Sequence, residues 1–138
     1  MAQRANQPTP FTPTLDLATG VPAYRQIIDQ ILGAIASGAL RGGDQLPTVR
    51  QLAVDLSINP NTVVRAYREL EIRGVLTTQQ GLGTFITREL VQPDEAVRQR
   101  QLDQLVSDVL ARAGAVGVTA DELLTRLQDF IANQRRNS

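Results

Sequence analysis

Amide, hydroxyl and guanidinium side chains cluster near the start of a predicted helix in the middle of the chain. They are Asn59, Asn61, Thr62, Arg65 and Arg68. Asparagine can form two hydrogen bonds with an adenine edge, arginine can do the same with guanine, and a threonine methyl can contact that of thymine. Asn61, Arg65 and Arg68 follow the spacing i, i+4 and i+7, so they share one helical face. These residues suit the major groove of DNA; the alternative is a solvated polar face with ordinary helix caps.

Two further positions have side chains or backbone groups that suit DNA contact. Arg50 follows Thr48 at the start of the preceding predicted helix, where exposed backbone amides also favour anions. Gln80 and Gly81 form the tip of a predicted hairpin and are expected to touch the minor groove or the sugar-phosphate backbone. The alternatives are a surface arginine and a plain turn. The Gly81-x-Gly83 spacing is not a nucleotide-binding loop, because the downstream helix and lysine of such loops are absent.

A predicted helix precedes these positions and supplies part of the core. Across residues 24–35, apolar side chains recur at i, i+3, i+4, i+7, i+8 and i+11, which is typical of a helix with one buried face. Pro22 suits the first turn of this helix, and Gly38 suits its end. Upstream, the alternating residues 14–17 predict a short strand, and residues 1–12 are predicted to be a disordered tail.

The next two predicted helices are joined by a short turn. Thr48 is expected to cap the second helix, with Gln51 three residues later in a capping box. Asn59 is a suitable N-cap for the third helix, which starts with Pro60 and ends at Gly74. The apolar stripe of the third helix consists of Val63, Ala66, Tyr67 and Leu70.

A β-hairpin is predicted after the third helix. Residues 75–78 and 84–87 are rich in β-forming side chains, and a glycine-containing turn separates them. The order helix, helix, short turn, helix and hairpin is that of a winged helix-turn-helix, an α+β fold predicted for residues 13–89. In this motif the second of the two joined helices enters the major groove, with its N-terminal residues nearest the bases.

Two amphipathic helices are predicted in residues 90–138. The first spans residues 94–113, a glycine-containing stretch at 114–117 follows, and Thr119 with Glu122 forms a second capping box. Such helices do not bury their apolar stripes alone, so they must pack on the first domain or on another subunit. A two-fold dimer would bind an inverted repeat, with its two recognition helices in successive major grooves. The residues predicted to form this dimer interface are Leu105, Val109, Leu124, Leu127 and Ile131.

The composition of this 138-residue chain argues against catalysis. Cysteine, histidine and lysine are all absent, which removes the thiol nucleophile, the usual general base near neutral pH and the Schiff-base amine. We therefore expect no enzyme, no metal site and no cofactor. Fourteen arginines balance fourteen acidic residues, so any basic surface must come from the placement of charge. No segment has the length and apolarity of an export signal or a membrane span, which predicts a cytoplasmic protein without membrane contact.

The segment 22–87 resembles the DNA-binding domain of the GntR family of bacterial transcription regulators. The short C-terminal region is similar to that of the YtrA-type subfamily, whose members carry two helices in place of a ligand-binding domain. The resemblance implies a homodimeric repressor of its own operon and of adjacent transporter genes. It rests on PAYRQI at 22–27, GALRGGDQLPTVRQLA at 38–53, NPNTVVRAYRELEIRG at 59–74 and GLGTFIT at 81–87.

The resemblance also marks individual positions. It implies that Arg50 is the arginine of the LPTVR motif, that residues 59–62 open the recognition helix and that Gly81 is the glycine of the wing tip. Many family members carry an arginine where this chain has Val64. We expect the neighbouring Arg65 to serve instead, so the operator sequence does not follow from the family.

Two alternatives to a DNA-binding regulator have some support. Winged helices also dock proteins, which fits the neutral charge; a steep fall of duplex affinity with salt would distinguish DNA binding. The front end of a regulator fused to an aminotransferase-like domain is disfavoured by the capped C-terminal helices and the missing lysine. The two C-terminal helices are too small to enclose a ligand cavity of about 300–1,000 Å³. Any effector is therefore expected at the dimer interface or between the domains.

Overall fold

The computed structural model describes residues 11–89 and 93–136, and the chain divides into two compact units. The first contains three helices and a hairpin in the predicted order, which confirms the winged helix-turn-helix. Its elements are a short 3-10 turn (Leu17–Thr19), α1 (Ala23–Ser37), α2 (Val49–Leu56), α3 (Pro60–Ile72), β1 (Leu76–Gln79) and β2 (Gly83–Ile86). The second unit contains α4 (Glu95–Ala115) and most of α5 (Ala120–Arg136).

The core of the first unit lies where the three helices meet the hairpin. Phe11 and Leu15, which precede α1, pack against this core; residues 1–10 of the predicted tail lie outside the described residues. The apolar stripe predicted for α3 is buried along its whole length. Burial of one face fixes the opposite face of α3 towards the exterior. The largest fully buried side chains are Ile27, Ile28, Ile31, Leu46, Leu52, Val63, Leu70 and Ile86.

Side-chain caps fix the starts of three helices, as the sequence predicts. The capping box proposed for α2 is only half formed, because the Gln51 side chain does not accept from the backbone N–H of Thr48. Its amide nitrogen donates instead to Asp55 Oδ1 at 2.7 Å. That i, i+4 contact is an alternative partner on the helix surface. The cap hydrogen bonds are Gln51 N–H to Thr48 Oγ1 (3.1 Å), Asn61 N–H to Asn59 Oδ1 (2.8 Å) and Glu122 N–H to Thr119 Oγ1 (3.1 Å).

The strand predicted for residues 14–17 is wrong. The side-chain amide of Gln30 pairs with both backbone groups of Thr14: Thr14 N–H donates to Oε1 at 2.8 Å, and Nε2 donates to Thr14 O at 2.6 Å. Gln26 pairs in the same way with Asp16, at 2.8 and 2.9 Å. Two glutamines one turn apart on α1 therefore take the hydrogen bonds that a neighbouring strand would otherwise provide.

The hairpin also pairs with the loop that leads to α2. Strands β1 and β2 are antiparallel. On the other edge of β2, Leu46 N–H donates to Thr84 O and Ile86 N–H donates to Asp44 O, both at 2.8 Å. Gln45 thus forms an isolated antiparallel bridge with Phe85, and these hydrogen bonds anchor the wing to the loop before α2.

Helix α4 continues two residues beyond the predicted end at 113. It stops where Gly117 adopts a φ of 78°, a conformation that glycine reaches without strain. Val118 N–H donates to Ala113 O at 2.9 Å, and Gly117 N–H donates to Gly114 O at 3.2 Å. This pair of hydrogen bonds is the Schellman motif. Over the described ranges 11–89 and 93–136, no helix is long and apolar enough to cross a membrane.

Replacing Gly33 with alanine is expected to stabilise the protein. Gly33 lies inside α1, and an added Cβ would meet no atom within 4 Å. Because alanine favours the helix and reduces the entropy of the unfolded chain, we expect the free energy of unfolding to rise by about 0.5–1 kcal/mol. Urea denaturation measures this. Gly42→Ala is the control and should destabilise, since its Cβ would lie 2.9 Å from the carbonyl oxygen of Arg88. A loss of stability in Gly33→Ala would contradict the structure.

Candidate nucleic-acid interface

Helix α3 is fixed to the start of α2 by Tyr67. The Tyr67 side chain is buried, and its hydroxyl donates to Pro47 O at 2.8 Å. Pro47 immediately precedes Thr48, the N-cap of α2. The two predicted contact regions, at the starts of α2 and α3, are therefore joined through the core. The sequence did not reveal this hydrogen bond, because Tyr67 belongs to the predicted apolar stripe.

Burial raises the pKa of the Tyr67 hydroxyl, because ionisation would place a charge in the core. The unfolded chain then releases this proton near pH ~10, while the folded protein keeps it. The stabilisation of the fold that comes from this raised pKa is fully present below pH ~10. It is lost as the pH rises above that value. We expect the free energy of unfolding to fall by up to about 1.4 kcal/mol per pH unit in that range. Denaturation between pH 8 and 11 should show the slope in wild type and a shallower one in Tyr67→Phe; equal slopes would contradict this cause.

The outer face of α3 carries the predicted base-contacting residues. Asn61, Arg65 and Arg68 are exposed and line one groove together with Tyr24 of α1. The structure therefore brings together the three side chains that helical spacing placed on one face. The groove is completed by Val64, Glu69 and Ile72.

The other contact residues predicted at the starts of α2 and α3 differ in which of their polar groups remain available to bind DNA. Thr48 and Asn59 use their side-chain oxygens as helix caps, so the amide nitrogen of Asn59 is the part left for a partner. Thr62 is half-buried. Arg50 is exposed and forms no hydrogen bond or ion pair with any described residue. Its guanidinium is therefore available to an anion.

The carboxylate nearest these arginines along α3 is already paired. Glu69 forms an ion pair with Arg73 at 3.2 Å, with the glutamate four residues N-terminal to the arginine, which is the favourable order on a helix. Arg65 and Arg68 form no ion pair or hydrogen bond within the part of the chain that the structure describes. The groove therefore presents two uncompensated guanidinium groups.

Arg65 has one close partner, which the sequence did not indicate. Its guanidinium carbon lies 3.8 Å from the centre of the Tyr24 ring, within the range of a cation–π contact. Periodicity assigned Tyr24 to the apolar face of α1. No pattern in the sequence links the two residues, because they belong to separate helices.

The predicted wing tip is exposed, and a side chain of the loop before α2 supports it. Gln80 and Gly81 lie in the turn between the strands, and Gly81 has a φ of 79°, which favours glycine. The Gln45 side chain supports the turn by donating from Nε2 to Leu82 O at 3.0 Å. Gly83 has a φ of 128°, which favours glycine, and a Cβ there would lie 2.6 Å from the same nitrogen and displace the Gln45 amide.

A second brace joins the wing to α3. The Thr78 hydroxyl of β1 donates to the carboxylate of Glu71. The position of the wing relative to α3 therefore depends on one side-chain hydrogen bond as well as on the core. Neither brace could be predicted from local patterns, because each links residues of different elements.

The predicted dimer residues lie on an apolar surface of α4 and α5. Leu105, Val109, Leu124 and Leu127 are between 44% and 60% exposed, and Ile131 is half-buried. Apolar side chains of this number rarely stay in water on a folded protein. The neighbouring exposed apolar residues are Leu102, Val106, Leu110 and Phe130.

Within residues 11–89 and 93–136, no group of acidic side chains is arranged to hold a metal ion.

Known proteins resemble the chain over its helix-turn-helix and over much of the C-terminal region. The model of the bacterial regulatory proteins, gntR family, matches residues 23–86. The HTH-type transcriptional repressor YtrA of Bacillus subtilis (strain 168) is 36% identical over 123 residues, which cover 86% of this chain and 92% of that protein.

Two solved structures are similar as well. YtrA from Sulfolobus acidocaldarius, a GntR-family transcription factor, is 33% identical with a TM-score of 0.55, covering 73% of this chain and 99% of that one. A transcriptional regulator from Oenococcus oeni is 38% identical with a TM-score of 0.54, covering 80% and 92%. These relatives are transcription regulators and not enzymes. This confirms the prediction of a DNA-binding regulator and the prediction that the chain is not an enzyme. The chain belongs to the GntR family and is a DNA-binding transcriptional regulator of the YtrA type.

Proposed function

We propose that this protein is a homodimeric repressor that binds an inverted-repeat operator in double-stranded DNA. The observation that carries the proposal is the groove on α3, where Asn61, Arg65 and Arg68 are exposed together. Their donors match the edges of adenine and guanine. The name of the similar Bacillus subtilis protein, a transcriptional repressor, supports repression.

The proposal assigns a separate role to each segment of the chain. Residues 13–89 form the DNA-binding domain, and residues 90–138 form the dimerisation region, preceded by the tail 1–12. Asn61, Thr62, Arg65 and Arg68 contact base edges or adjacent phosphates. The remaining contact residues are Thr48 and Arg50 at α2, Asn59 at the start of α3, and Gln80 and Gly81 at the wing tip.

The exposed apolar surface of α4 and α5 supports the dimer. Burying one leucine side chain contributes roughly 1.5–3 kcal/mol, and a two-fold contact buries each residue twice. A symmetric dimer presents its two α3 helices to successive major grooves, about 34–36 Å apart. Control of its own operon and of adjacent transporter genes, implied by the resemblance, belongs to the same proposal.

Selection from a pool of random duplexes, followed by a salt titration, tests the function. We expect enrichment of one sequence, and an affinity for it that falls steeply as salt increases, because bound phosphates release counterions. A pool without enrichment, together with salt-independent binding, would refute DNA recognition. That result would favour the protein-docking alternative.

Arg50→Ala is expected to weaken binding to all duplexes by a similar factor. Arg50 is exposed at the N-terminus of α2, where a phosphate is the matching partner. Losing one phosphate contact should reduce the slope of log affinity against log salt by about one unit. Arg100→Ala removes an arginine of α4 that is also exposed and should leave this slope unchanged. A loss of affinity restricted to one base pair of the operator would instead show that Arg50 contacts a base.

A further inference from the structure

We propose that Tyr24 is a positioning residue for base recognition, whose ring holds the guanidinium of Arg65 in the orientation that binds DNA. The inference rests on the proposed function and assigns a role to a residue of α1, outside the helix-turn-helix. It makes the recognition surface a product of two helices rather than of α3 alone.

The ring is itself well fixed. Tyr24 is partly buried and packs against the core, so its orientation is set by α1 and not by solvent. It also forms one wall of the groove that contains Asn61, Arg65 and Arg68. A rigid aromatic surface therefore lies next to the side chains that face the DNA.

The contact leaves the hydrogen-bonding groups of Arg65 available. The guanidinium carbon lies over the Tyr24 ring, 3.8 Å from its centre, and the guanidinium forms no hydrogen bond or ion pair with any described residue. The five N–H donors of arginine lie in the plane of the group and point outward from its edge. The contact with the ring therefore restrains the fork, while its donors have no partner in the protein and stay available for a guanine edge.

Without this contact, the Arg65 side chain would be unrestrained. It forms no ion pair or hydrogen bond among the described residues, and the carboxylate of Glu69 is paired with Arg73. An arginine that becomes fixed only when DNA binds loses conformational entropy at that step, which weakens binding. Because the Tyr24 ring already restricts the Arg65 side chain in the DNA-free protein, less conformational entropy is lost when DNA binds. A cation–π contact corresponds to a factor of about 2–30 in affinity.

Arg68 provides a comparison within the same groove. It is exposed on α3 like Arg65, but no aromatic ring of the described ranges forms a cation–π contact with it. We therefore expect the Nε–H group of Arg65 to be more ordered than that of Arg68 in the DNA-free protein. NMR relaxation of the arginine side chains measures this, and equal order parameters would overturn the inference even without any variant.

A double-mutant cycle tests the effect on recognition. The variants are Tyr24→Leu, which keeps an apolar side chain but removes the ring, Arg65→Ala and the combination of both. Their affinities are measured for the selected duplex, for the same duplex altered at each base pair in turn, and for a random duplex. Tyr24→Phe keeps the ring and is the matched control.

Tyr24→Leu should weaken binding to the selected duplex by about 2–30-fold and reduce discrimination at one base pair per half-site. Its affinity for the random duplex should stay the same, and Tyr24→Phe should behave like wild type. In the Arg65→Ala background, Tyr24→Leu should cause no further loss. Equal losses on both duplexes, or the same loss in that background, would overturn the inference.

The outcomes also separate this inference from the proposed function. If wild type enriches no duplex from the random pool, the proposed function fails and the role of Tyr24 fails with it. If wild type enriches an operator but the effects of Tyr24→Leu and Arg65→Ala multiply independently, only the role of Tyr24 is refuted.

Discussion

Replacing both Leu124 and Leu127 with glutamate is expected to yield monomers that bind the operator about 10²–10⁴-fold more weakly. Both side chains are about half-exposed on α5 in the single chain. Four glutamates at a two-fold contact would be desolvated without partners, which strongly opposes association. Each monomer then holds one half-site alone and loses the high effective concentration that the dimer provides.

Sedimentation velocity at micromolar protein and titration of the operator measure the two effects. Thr125→Glu with Ala132→Glu is the matched control, because it adds the same charges at exposed positions of α5 away from its apolar face. The control should remain a dimer with nearly unchanged affinity. A wild-type protein that sediments only as a monomer would refute the dimer interface, as would a stable dimer of the Leu124→Glu, Leu127→Glu double variant.

Arg65→Ala is expected to relax specificity at one base pair of each half-site. The guanidinium is exposed in the groove of α3, oriented by Tyr24 and free of ion pairs among the described residues. A bidentate contact with guanine discriminates against other bases by about 1–3 kcal/mol. Repeating the random-duplex selection with the variant should therefore give the same operator with one degenerate position per half-site.

Arg65→Lys separates charge from geometry in this experiment. Lysine keeps the positive charge but lacks the planar fork, so the same position should become degenerate while affinity for random duplexes is retained. If Arg65→Ala instead weakens every duplex by the same factor, Arg65 contacts a phosphate.

Local sequence signals were sufficient for most of the fold. The apolar period of residues 24–35, the caps Thr48 and Asn59 and the β-forming residues around the wing predicted three helices and a hairpin, as observed. These signals depend on neighbours within one or two turns. The strand at 14–17 was wrong because Gln26 and Gln30, on the following helix, provide its hydrogen bonds instead.

The candidate site was predictable only in part. Helical spacing placed Asn61, Arg65 and Arg68 on one face, and they do line one groove. The contacts that orient the site link residues far apart in the sequence: Tyr24 with Arg65, and Tyr67 with Pro47. Such contacts depend on how the helices pack, so composition and periodicity do not reveal them.

Methylation interference at guanine N7 on the selected operator tests most directly whether two α3 helices bind successive major grooves. Guanine N7 faces the major groove, so a methyl group there blocks an arginine contact. We expect two clusters of interference, related by two-fold symmetry and separated by about 10–10.5 base pairs. A single cluster, or binding that tolerates methylation at every guanine, would contradict a two-fold dimer that reads the major groove.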